Sequence, residues 1–195
     1  MGERVRTAVL ISGTGSNMIS LVEAARDPAC PYEVALVLSN RPEAPGLERA
    51  RALGVEALAV DHRPFGRDRE AHERAVDAVL KSHGVELVAL AGYMRVLTPW
   101  LVREWAGRML NIHPSLLPLY PGLDTHARAL AAGDTEAGCT VHQVTEGVDE
   151  GPILAQARVP VRPGDTPATL AARVLKAEHQ LYPRALADHA RTLLS

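Results

Sequence analysis

Four largely apolar segments in the first half of the chain predict buried strands. They cover residues 7–11, 34–38, 55–60 and 87–91, and none alternates regularly between apolar and polar positions. Runs of this kind are typical of strands that are covered on both faces of a parallel sheet. Helices are predicted between them at residues 17–26, 45–53 and 67–83. The last of these has apolar side chains at helical spacing and ends before Gly84, and glycine is favoured directly after a helix C-terminus. Strands that alternate with helices predict a doubly wound α/β domain.

The second half of the chain predicts shorter strands and a terminal helix. We expect strands at residues 109–112, 139–145 and 153–161 and a helix at residues 125–132. The last two strands flank a loop rich in Gly and Pro, so we expect them to form a hairpin in a mostly parallel, mixed sheet. Asp165 or Thr166 before Pro167 predicts the start of the final helix, because proline is favoured at the first helical position. No linker interrupts this order, and residues 1–195 are expected to form one Rossmann-like domain with helices on both faces of the sheet.

Proline crowds residues 114–122, which contain Pro114, Pro118 and Pro121. Cis peptide bonds are uncommon and occur almost only before proline. The crowding of this turn leads us to expect a cis bond at Leu117–Pro118.

Composition narrows the functional classes. The chain has 195 residues, 47% of them hydrophobic, and this length is sufficient for one domain with a sizeable core. A formal net charge of −2 and 4% aromatic residues argue against a nucleic-acid surface, which needs basic side chains and stacking platforms. Cys30 and Cys139 are too few for a disulfide framework, and we therefore expect a reducing, cytoplasmic location. No apolar segment has the length of a membrane span or the features of a signal peptide, so neither is expected.

A glycine-rich segment, Ser12-Gly13-Thr14-Gly15-Ser16-Asn17, lies between the first predicted strand and the first predicted helix. Glycine lets the backbone approach a ligand closely, and the free N–H groups at a helix start attract an anion. The spacing lacks the third glycine of the dinucleotide fingerprint and the Gly-Lys-Ser/Thr of a P-loop. Ser16 and Asn17 add side-chain donors that suit a terminal phosphate monoester. The alternative interpretation is a tight turn in which Ser16 is only the helix N-cap.

The segment Asn111-Ile112-His113-Pro114 ends a predicted strand. Residues two apart on a strand face the same side, so Asn111 and His113 are expected to face one cleft while Ile112 packs into the core. An amide donor beside an imidazole suits the oxyanion of a tetrahedral intermediate at an acyl carbon. Pro114 ends the strand and keeps the cleft open. Each residue alone also has an ordinary structural role, since histidine is often buried and asparagine often caps a turn.

Asp149 lies in a loop with Gly147 and Gly151 and is a candidate partner of His113. It could orient the imidazole, favour its protonated form or relay a proton through water, or it could simply be a turn residue. No Ser or Cys occupies a nucleophile elbow, which argues against a covalent acyl intermediate. No paired ligand spacing is present, so we expect no metal.

These motifs together closely resemble the folate-dependent phosphoribosylglycinamide formyltransferases, also called glycinamide ribonucleotide transformylases. The resemblance covers essentially the whole chain in one order. The matching segments are Ile11-Ser12-Gly13-x-Gly15-Ser16-Asn17, Leu90-Ala91-Gly92-Tyr93-Met94-Arg95, Leu110-Asn111-Ile112-His113-Pro114-Ser115-Leu116-Leu117-Pro118, Tyr120-Pro121-Gly122-Leu123-x-Thr125-His126, Asp149-x-Gly151-Pro152 and Glu178-His179-x-x-Tyr182-Pro183.

The resemblance implies an enzyme of purine biosynthesis that transfers the formyl group of 10-formyltetrahydrofolate to the amine of glycinamide ribonucleotide. Asn111, His113 and Asp149 correspond to the catalytic trio. The substrate-binding residues correspond to Gly13, Thr14, Gly15, Ser16, Asn17, Pro114 and Glu178, with the phosphate at the glycine loop and Glu178 as an acidic group that contacts the amine substrate. Departures at Leu119 and Asp124, where relatives often carry a basic residue or His, leave the roles of these two positions open.

The folate site follows from the same resemblance. Met94, Arg95, Val96 and Leu97 correspond to the segment that receives the pterin ring, and Arg69 and Asn111 to further folate contacts. Thr145, Glu146, Gly147, Val148 and Asp149 form the loop expected to close over the pocket. The implied partners are these two small molecules, with no nucleic acid, no membrane and no metal, and the chain is expected to act as a monomer or a homodimer.

Three alternatives share some of these features. A methionyl-tRNA formyltransferase would add a C-terminal domain and a basic tRNA surface, and neither is evident in the sequence. A formyltetrahydrofolate deformylase would use water as the acceptor and usually adds an N-terminal regulatory domain. The glycine loop and Tyr120-Pro121-Gly122 favour the purine enzyme over both. A non-catalytic nucleotide- or folate-binding module would have no need of the intact trio.

Overall fold

A seven-stranded sheet forms the centre of the computed structural model, which describes residues 3–195. The strands are β1 (Val5–Ile11), β2 (Tyr32–Ser39), β3 (Ala57–Ala59), β4 (Leu87–Leu90), β5 (Met109–His113), β6 (Glu136–Gln143) and β7 (Ile153–Pro160). Their order across the sheet is β3-β2-β1-β4-β5-β6-β7. The first five strands are parallel, whereas β6 pairs antiparallel with both β5 and β7. The predicted mixed sheet and its terminal hairpin are therefore confirmed.

Six α-helices and one short 3₁₀-helix connect the strands in residues 3–195. The α-helices are α1 (Ser16–Ala24), α2 (Pro45–Ala52), α3 (Arg69–Ser82), α4 (Pro99–Glu104), α5 (Thr125–Ala131) and α6 (Pro167–Leu193). The sequence interpretation omitted α4 and the 3₁₀-helix at Arg63–Phe65. It also made β3 too long, because this edge strand pairs only with β2 and only through Ala57–Ala59.

Two hydrophobic layers cover the sheet. On one face, α1, α2 and α6 pack over side chains that include Val9, Val37, Ala89, Leu110 and Ile112. On the other face, α3 and α4 pack over Leu10, Leu38, Val88, Leu90 and Met109. Alternate residues of each central strand are thus buried on opposite faces, which explains why these strands read as largely apolar runs. The predicted doubly wound architecture is confirmed.

The strand order reverses between β1 and β4, which are neighbours in the sheet. Ligands of open α/β sheets bind at such a switch point, beyond the carboxyl ends of the strands. The glycine loop after β1, the segment after β4 and the end of β5 all lie at this edge. Tyr182 of α6 stabilises this edge. Its hydroxyl lies within hydrogen-bonding distance of two strand carbonyls, 2.9 Å from that of Leu90 and 3.2 Å from that of Leu110.

Two further sequence expectations concern the backbone and the helices. The Leu117–Pro118 peptide bond is cis, as expected. Among residues 3–195, none of the helices combines the length and apolar character that crossing a membrane requires.

Candidate active site

Asn111 and His113 lie on the same side of β5, and Ile112 between them is buried in the core on the other side. His113 is held from two directions. Its Nε2 lies 2.9 Å from the Tyr120 carbonyl oxygen, and its Nδ1 lies 3.5 Å from Asp149 Oδ2. A carbonyl oxygen can only accept, so Nε2 carries a hydrogen in this arrangement. Protonation of Nδ1 would then let the ring donate to the Asp149 carboxylate as well.

Asp149 connects the loop after β6 to the Pro-rich turn. Its Oδ2 accepts a hydrogen bond from the Gly122 amide at 2.9 Å. Both Asp149 (φ 55°) and Tyr120 (φ 53°) adopt the left-handed conformation, which is unusual outside glycine and which Asp tolerates better than most residues. The strained backbone turns the Asp149 carboxylate and the Tyr120 carbonyl towards the same imidazole.

His142 is a residue of this site that the sequence interpretation missed. It lies opposite Asn111 in the antiparallel β5–β6 pair. Its Nε2 is 3.3 Å from Asn111 Nδ2 and 3.7 Å from Asp149 Oδ1. The signal was present in the predicted strand 139–145, but only the strand register shows which of its residues faces Asn111.

The hydrogen bonds of His142 define its tautomer. Nδ1 lies 3.0 Å from the Gln143 carbonyl, which can only accept, so Nδ1 donates. Burial lowers the pKa of His142, an effect that outweighs the opposing charge of Asp149. In the neutral ring Nε2 is therefore an acceptor, and it fixes the Asn111 amide with its nitrogen towards His142. The second N–H of that amide remains available for the cleft.

The glycine loop begins α1 without a side-chain cap. Gly15 is the N-cap residue, with φ 73°, and no side chain of the described residues caps this helix end. The alternative in which Ser16 is the N-cap is therefore wrong, because Ser16 is already the first helical residue. The first turn has no acidic residue, so its free N–H groups and the positive end of the helix dipole are not neutralised.

Close packing explains why the loop needs glycine at Gly15. A Cβ there would lie 2.8 Å from Met18 Cε and 3.2 Å from Gly46 Cα. The neighbouring Gly46 donates to the Gly13 carbonyl at 3.0 Å, which anchors the loop on the start of α2. Thr14 is exposed, and its carbonyl accepts from Arg49 at 3.2 Å.

Asn17 and Glu178 form a second polar pair where α1 meets α6. Asn17 Nδ2 lies 3.3 Å from Glu178 Oε2, and both residues are buried. Burial raises the pKa of Glu178 to about 7, and the Asn17 bond opposes that change. Asn17 Oδ1 is buried without a partner among residues 3–195. No hydrogen bond within those residues joins this pair to His113 or Asp149.

The segment after β4 lies beside the glycine loop. The Met94 amide donates to Ser12 Oγ at 2.8 Å, and Arg69 Nη1 donates to the Val96 carbonyl at 3.3 Å. Met94 and Val96 are exposed, with 67% and 60% of their surface accessible, and Leu97 packs partly against the core. The structure thus brings Arg69 to the segment Met94, Arg95, Val96 and Leu97.

The loop Thr145, Glu146, Gly147, Val148 and Asp149 extends from β6 over this edge of the sheet. Glu146 forms an ion pair with Arg103 of α4 at 2.8 Å. Gly151 closes the loop tightly, since a Cβ there would lie 1.7 Å from the Gln143 carbonyl oxygen. Pro114 lies at the other end of the cleft, where its carbonyl accepts from Thr125 Oγ1 at 2.8 Å. Within residues 3–195, His, Cys, Asp and Glu side chains form no group of three that could hold a metal ion.

Comparisons with known proteins agree on one family. A family model described as formyl transferase matches residues 5–186. The chain is 52% identical over 186 residues to the trifunctional purine biosynthetic protein adenosine-3 of Drosophila melanogaster, covering 94% of the chain and 14% of that protein. The chain therefore spans about a seventh of the length of this relative.

Two bacterial proteins match over most of their own length. The chain is 46% identical over 175 residues to the phosphoribosylglycinamide formyltransferase of Escherichia coli K12, covering 90% of the chain and 82% of that protein. It is also similar to the crystal structure of the phosphoribosylglycinamide formyltransferase from Brucella melitensis, with a TM-score of 0.92, 54% identity and 96% coverage of each chain.

Proposed function

The chain belongs to the formyl transferase family, and from this premise we propose that it is a phosphoribosylglycinamide formyltransferase of purine biosynthesis. In the proposed reaction the amine of glycinamide ribonucleotide takes the formyl group of 10-formyltetrahydrofolate. The products are formylglycinamide ribonucleotide and tetrahydrofolate. Residues 5–186 match the family as one unit, which supports one catalytic domain over residues 1–195.

The observation that carries the proposal is the placement of His113 between the Tyr120 carbonyl and the Asp149 carboxylate, on the same strand face as Asn111. An acyl transfer needs donors for the oxyanion and a group that moves a proton. Asn111 and His113 provide the donors, and Asp149 provides the proton acceptor. The group lies at the strand ends beside the uncapped start of α1, where a phosphorylated substrate can bind.

The amine substrate would bind between the glycine loop and α6. Its phosphate would lie at the free N–H groups of Gly13, Thr14, Gly15, Ser16 and Asn17. The unpartnered Asn17 Oδ1 and the Glu178 carboxyl can accept hydrogen bonds from polar groups of this substrate. Pro114 would contact the substrate from the opposite wall, at the end of β5.

The folate would bind on the other side of the cleft. Met94, Arg95, Val96 and Leu97 offer exposed apolar surface and backbone polar groups to a pterin ring, which suits a small-molecule site. Arg69 lies against this segment and offers a positive charge for a carboxylate of the cofactor. Asn111 and the loop Thr145, Glu146, Gly147, Val148 and Asp149 would complete the pocket.

The chemical step follows from these positions. The amine nitrogen attacks the formyl carbon, the C=O electrons move to oxygen, and a tetrahedral intermediate forms. Asn111 donates a hydrogen bond to the oxyanion through Nδ2. His113 donates in its protonated form through Nδ1, since its Nε2 is bound to the Tyr120 carbonyl. Collapse breaks the bond to the folate nitrogen, which gains one proton while the amine loses one. Asp149 transfers that proton, directly or through water. The proton lost by the amine is the one gained by the folate nitrogen, so the step needs no metal and no external acid.

All of the proposed site residues belong to one chain, and a monomer or a homodimer can carry out the reaction. Cys30 and Cys139 are unpaired. This supports a reducing compartment, and we propose that the reaction takes place in the cytoplasm with small molecules as the only substrates.

A substrate-competition assay tests the proposal. Tetrahydrofolate release is followed with 10-formyltetrahydrofolate and glycinamide ribonucleotide, with parallel reactions that lack the amine or contain methionyl-tRNA instead. We expect release only with glycinamide ribonucleotide. Equal release without any amine would identify a deformylase, and release only with the tRNA would identify a tRNA enzyme. Either result would overturn the proposal.

A further inference from the structure

The segment that we assign to the pterin, residues 94–97, forms neither helix nor strand. Its two most exposed side chains, Met94 and Val96, cannot hold it in place by burial. Apart from the partial packing of Leu97 against the core, its path therefore depends on polar contacts with its neighbours. At the start of the segment, Ser12 Oγ accepts from the Met94 amide at 2.8 Å.

Glu73 of α3 holds the other end of the segment. Its Oε1 accepts from the Thr98 amide at 2.8 Å, and its Oε2 accepts from the Thr98 hydroxyl. Glu73 is only 3% exposed, so both bonds form away from water, where hydrogen bonds to a charged group are strong. One turn earlier on the same helix, Arg69 holds the Val96 carbonyl.

Burying a carboxylate costs free energy, so the presence of Glu73 at this buried position needs an explanation. Burial raises the pKa of Glu73, and the two Thr98 bonds and the charges of Arg69 and Arg95 oppose that change. A hydrophobic residue could join α3 to the loop without this cost. A carboxylate with two oxygens does something that a hydrophobic residue cannot, because it fixes one backbone N–H and one hydroxyl of the same residue in space.

We propose that Glu73 is a positioning residue for the folate co-substrate, which sets the path of residues 94–97 by holding Thr98. This inference rests on the proposed function and adds to it a residue outside the pocket. Glu73 acts through Thr98 and touches neither substrate. Its effect is therefore expected on folate binding and not on the amine substrate, which binds near the glycine loop and α6.

The rival explanation is that Glu73 merely joins α3 to α4. Asp77 provides a matched control, since it lies one turn further along α3 and is 6% exposed. Its Oδ1 accepts from the Trp105 indole at 3.0 Å, so it also joins α3 to α4 through a buried carboxylate. No hydrogen bond within residues 3–195 connects Asp77 to residues 94–98.

The test compares Glu73→Gln, Thr98→Val and Asp77→Asn in the full chain. For each variant we measure the thermal midpoint, the KM for each substrate and kcat, and we titrate 10-formyltetrahydrofolate by calorimetry. Glu73→Gln and Thr98→Val should each raise the folate Kd and KM by about tenfold, the loss expected for a charged hydrogen bond. The KM for glycinamide ribonucleotide should stay within about twofold. Asp77→Asn should lower the thermal midpoint and leave the folate Kd unchanged.

Two results would overturn the inference. One is an unchanged folate Kd in Glu73→Gln, and the other is an equal rise in Asp77→Asn. Failure of the proposed function is distinguishable, because tetrahydrofolate release by the wild-type chain would then not depend on glycinamide ribonucleotide. The calorimetric comparison of the variants does not depend on turnover, so it decides the role of Glu73 in either case.

Discussion

The carboxylate of Asp149 accepts a hydrogen bond from the Gly122 amide at 2.9 Å, and through it two loops that are distant in sequence become one wall of the cleft. The same Oδ2 faces His113 at 3.5 Å. Since His113 also donates to the Tyr120 carbonyl, the imidazole is oriented by both loops at once. Any change at Asp149 should therefore alter both the orientation of the ring and the transfer of the proton.

Substitution of Gly15 should separate backbone strain from substrate binding. Gly15→Ala places a Cβ 2.8 Å from Met18 Cε at φ 73°, and it should destabilise the fold by about 1–2 kcal/mol. It should also raise the KM for glycinamide ribonucleotide, because the loop must shift. Gly54→Ala is the control, with φ 80° and no atom within 4 Å of the new Cβ. An unchanged amine-substrate KM in Gly15→Ala would argue against the phosphate site.

The raised pKa of Glu178 predicts a pH-dependent difference in stability between the wild-type chain and Glu178→Gln. The pKa rises from 4.5 to about 7 in the fold because burial favours the neutral acid. The fold then binds more protons than the unfolded chain in this window, so the Glu178 contribution is present at low pH and is lost as pH rises through 7. The side chain in Glu178→Gln does not titrate, so the variant lacks this pH-dependent contribution.

Urea unfolding at pH 5 and pH 8 checks this prediction. Relative to the wild-type chain, Glu178→Gln should gain stability between the two pH values, by on the order of 2–3 kcal/mol. The buried histidines titrate in both proteins, and their effect cancels in the difference. A difference that does not vary with pH would contradict the assignment of a buried, neutral Glu178.

Comparison of the sequence with the structure explains which parts of this site could be predicted. The glycine loop, Asn111 and His113 could be predicted from their neighbours in the sequence, because each lies next to a predicted strand end or helix start that fixes its position. The same holds for the terminal hairpin, whose two strands are close in sequence. Local rules also contained the signal for α4, because Thr98-Pro99 is a favourable helix start.

Residues that act through long-range contacts could not be identified from the sequence. The role of His142 depends on the register that places it opposite Asn111, and a shift of one residue would turn it to the other face. Glu73 reaches Thr98 only because α3 packs beside the segment after β4. The alternative in which Ser16 is the N-cap fails for a local reason, because Gly15 in the left-handed conformation occupies that position.

His142 should support catalysis by orienting Asn111. His142→Ala removes the acceptor at 3.3 Å from Asn111 Nδ2, so kcat should fall by about tenfold while both KM values change little. Asn111→Ala should cost about 3 kcal/mol in transition-state stabilisation, as loss of an oxyanion donor does elsewhere. Because His142 acts through Asn111, the double variant should be no slower than Asn111→Ala alone. Additive losses would show that His142 acts independently of Asn111.

The central claim is that Asn111, His113 and Asp149 act as one catalytic unit, and single-turnover formyl transfer tests it most directly. The rate is measured for His113→Ala, Asp149→Ala and their double variant, with calorimetry to verify that both substrates still bind. We expect each single change to lower the rate by about 10²–10³-fold and the double change to cost far less than the product of the two. Strictly multiplicative losses, or a nearly full rate in Asp149→Ala, would contradict the claim.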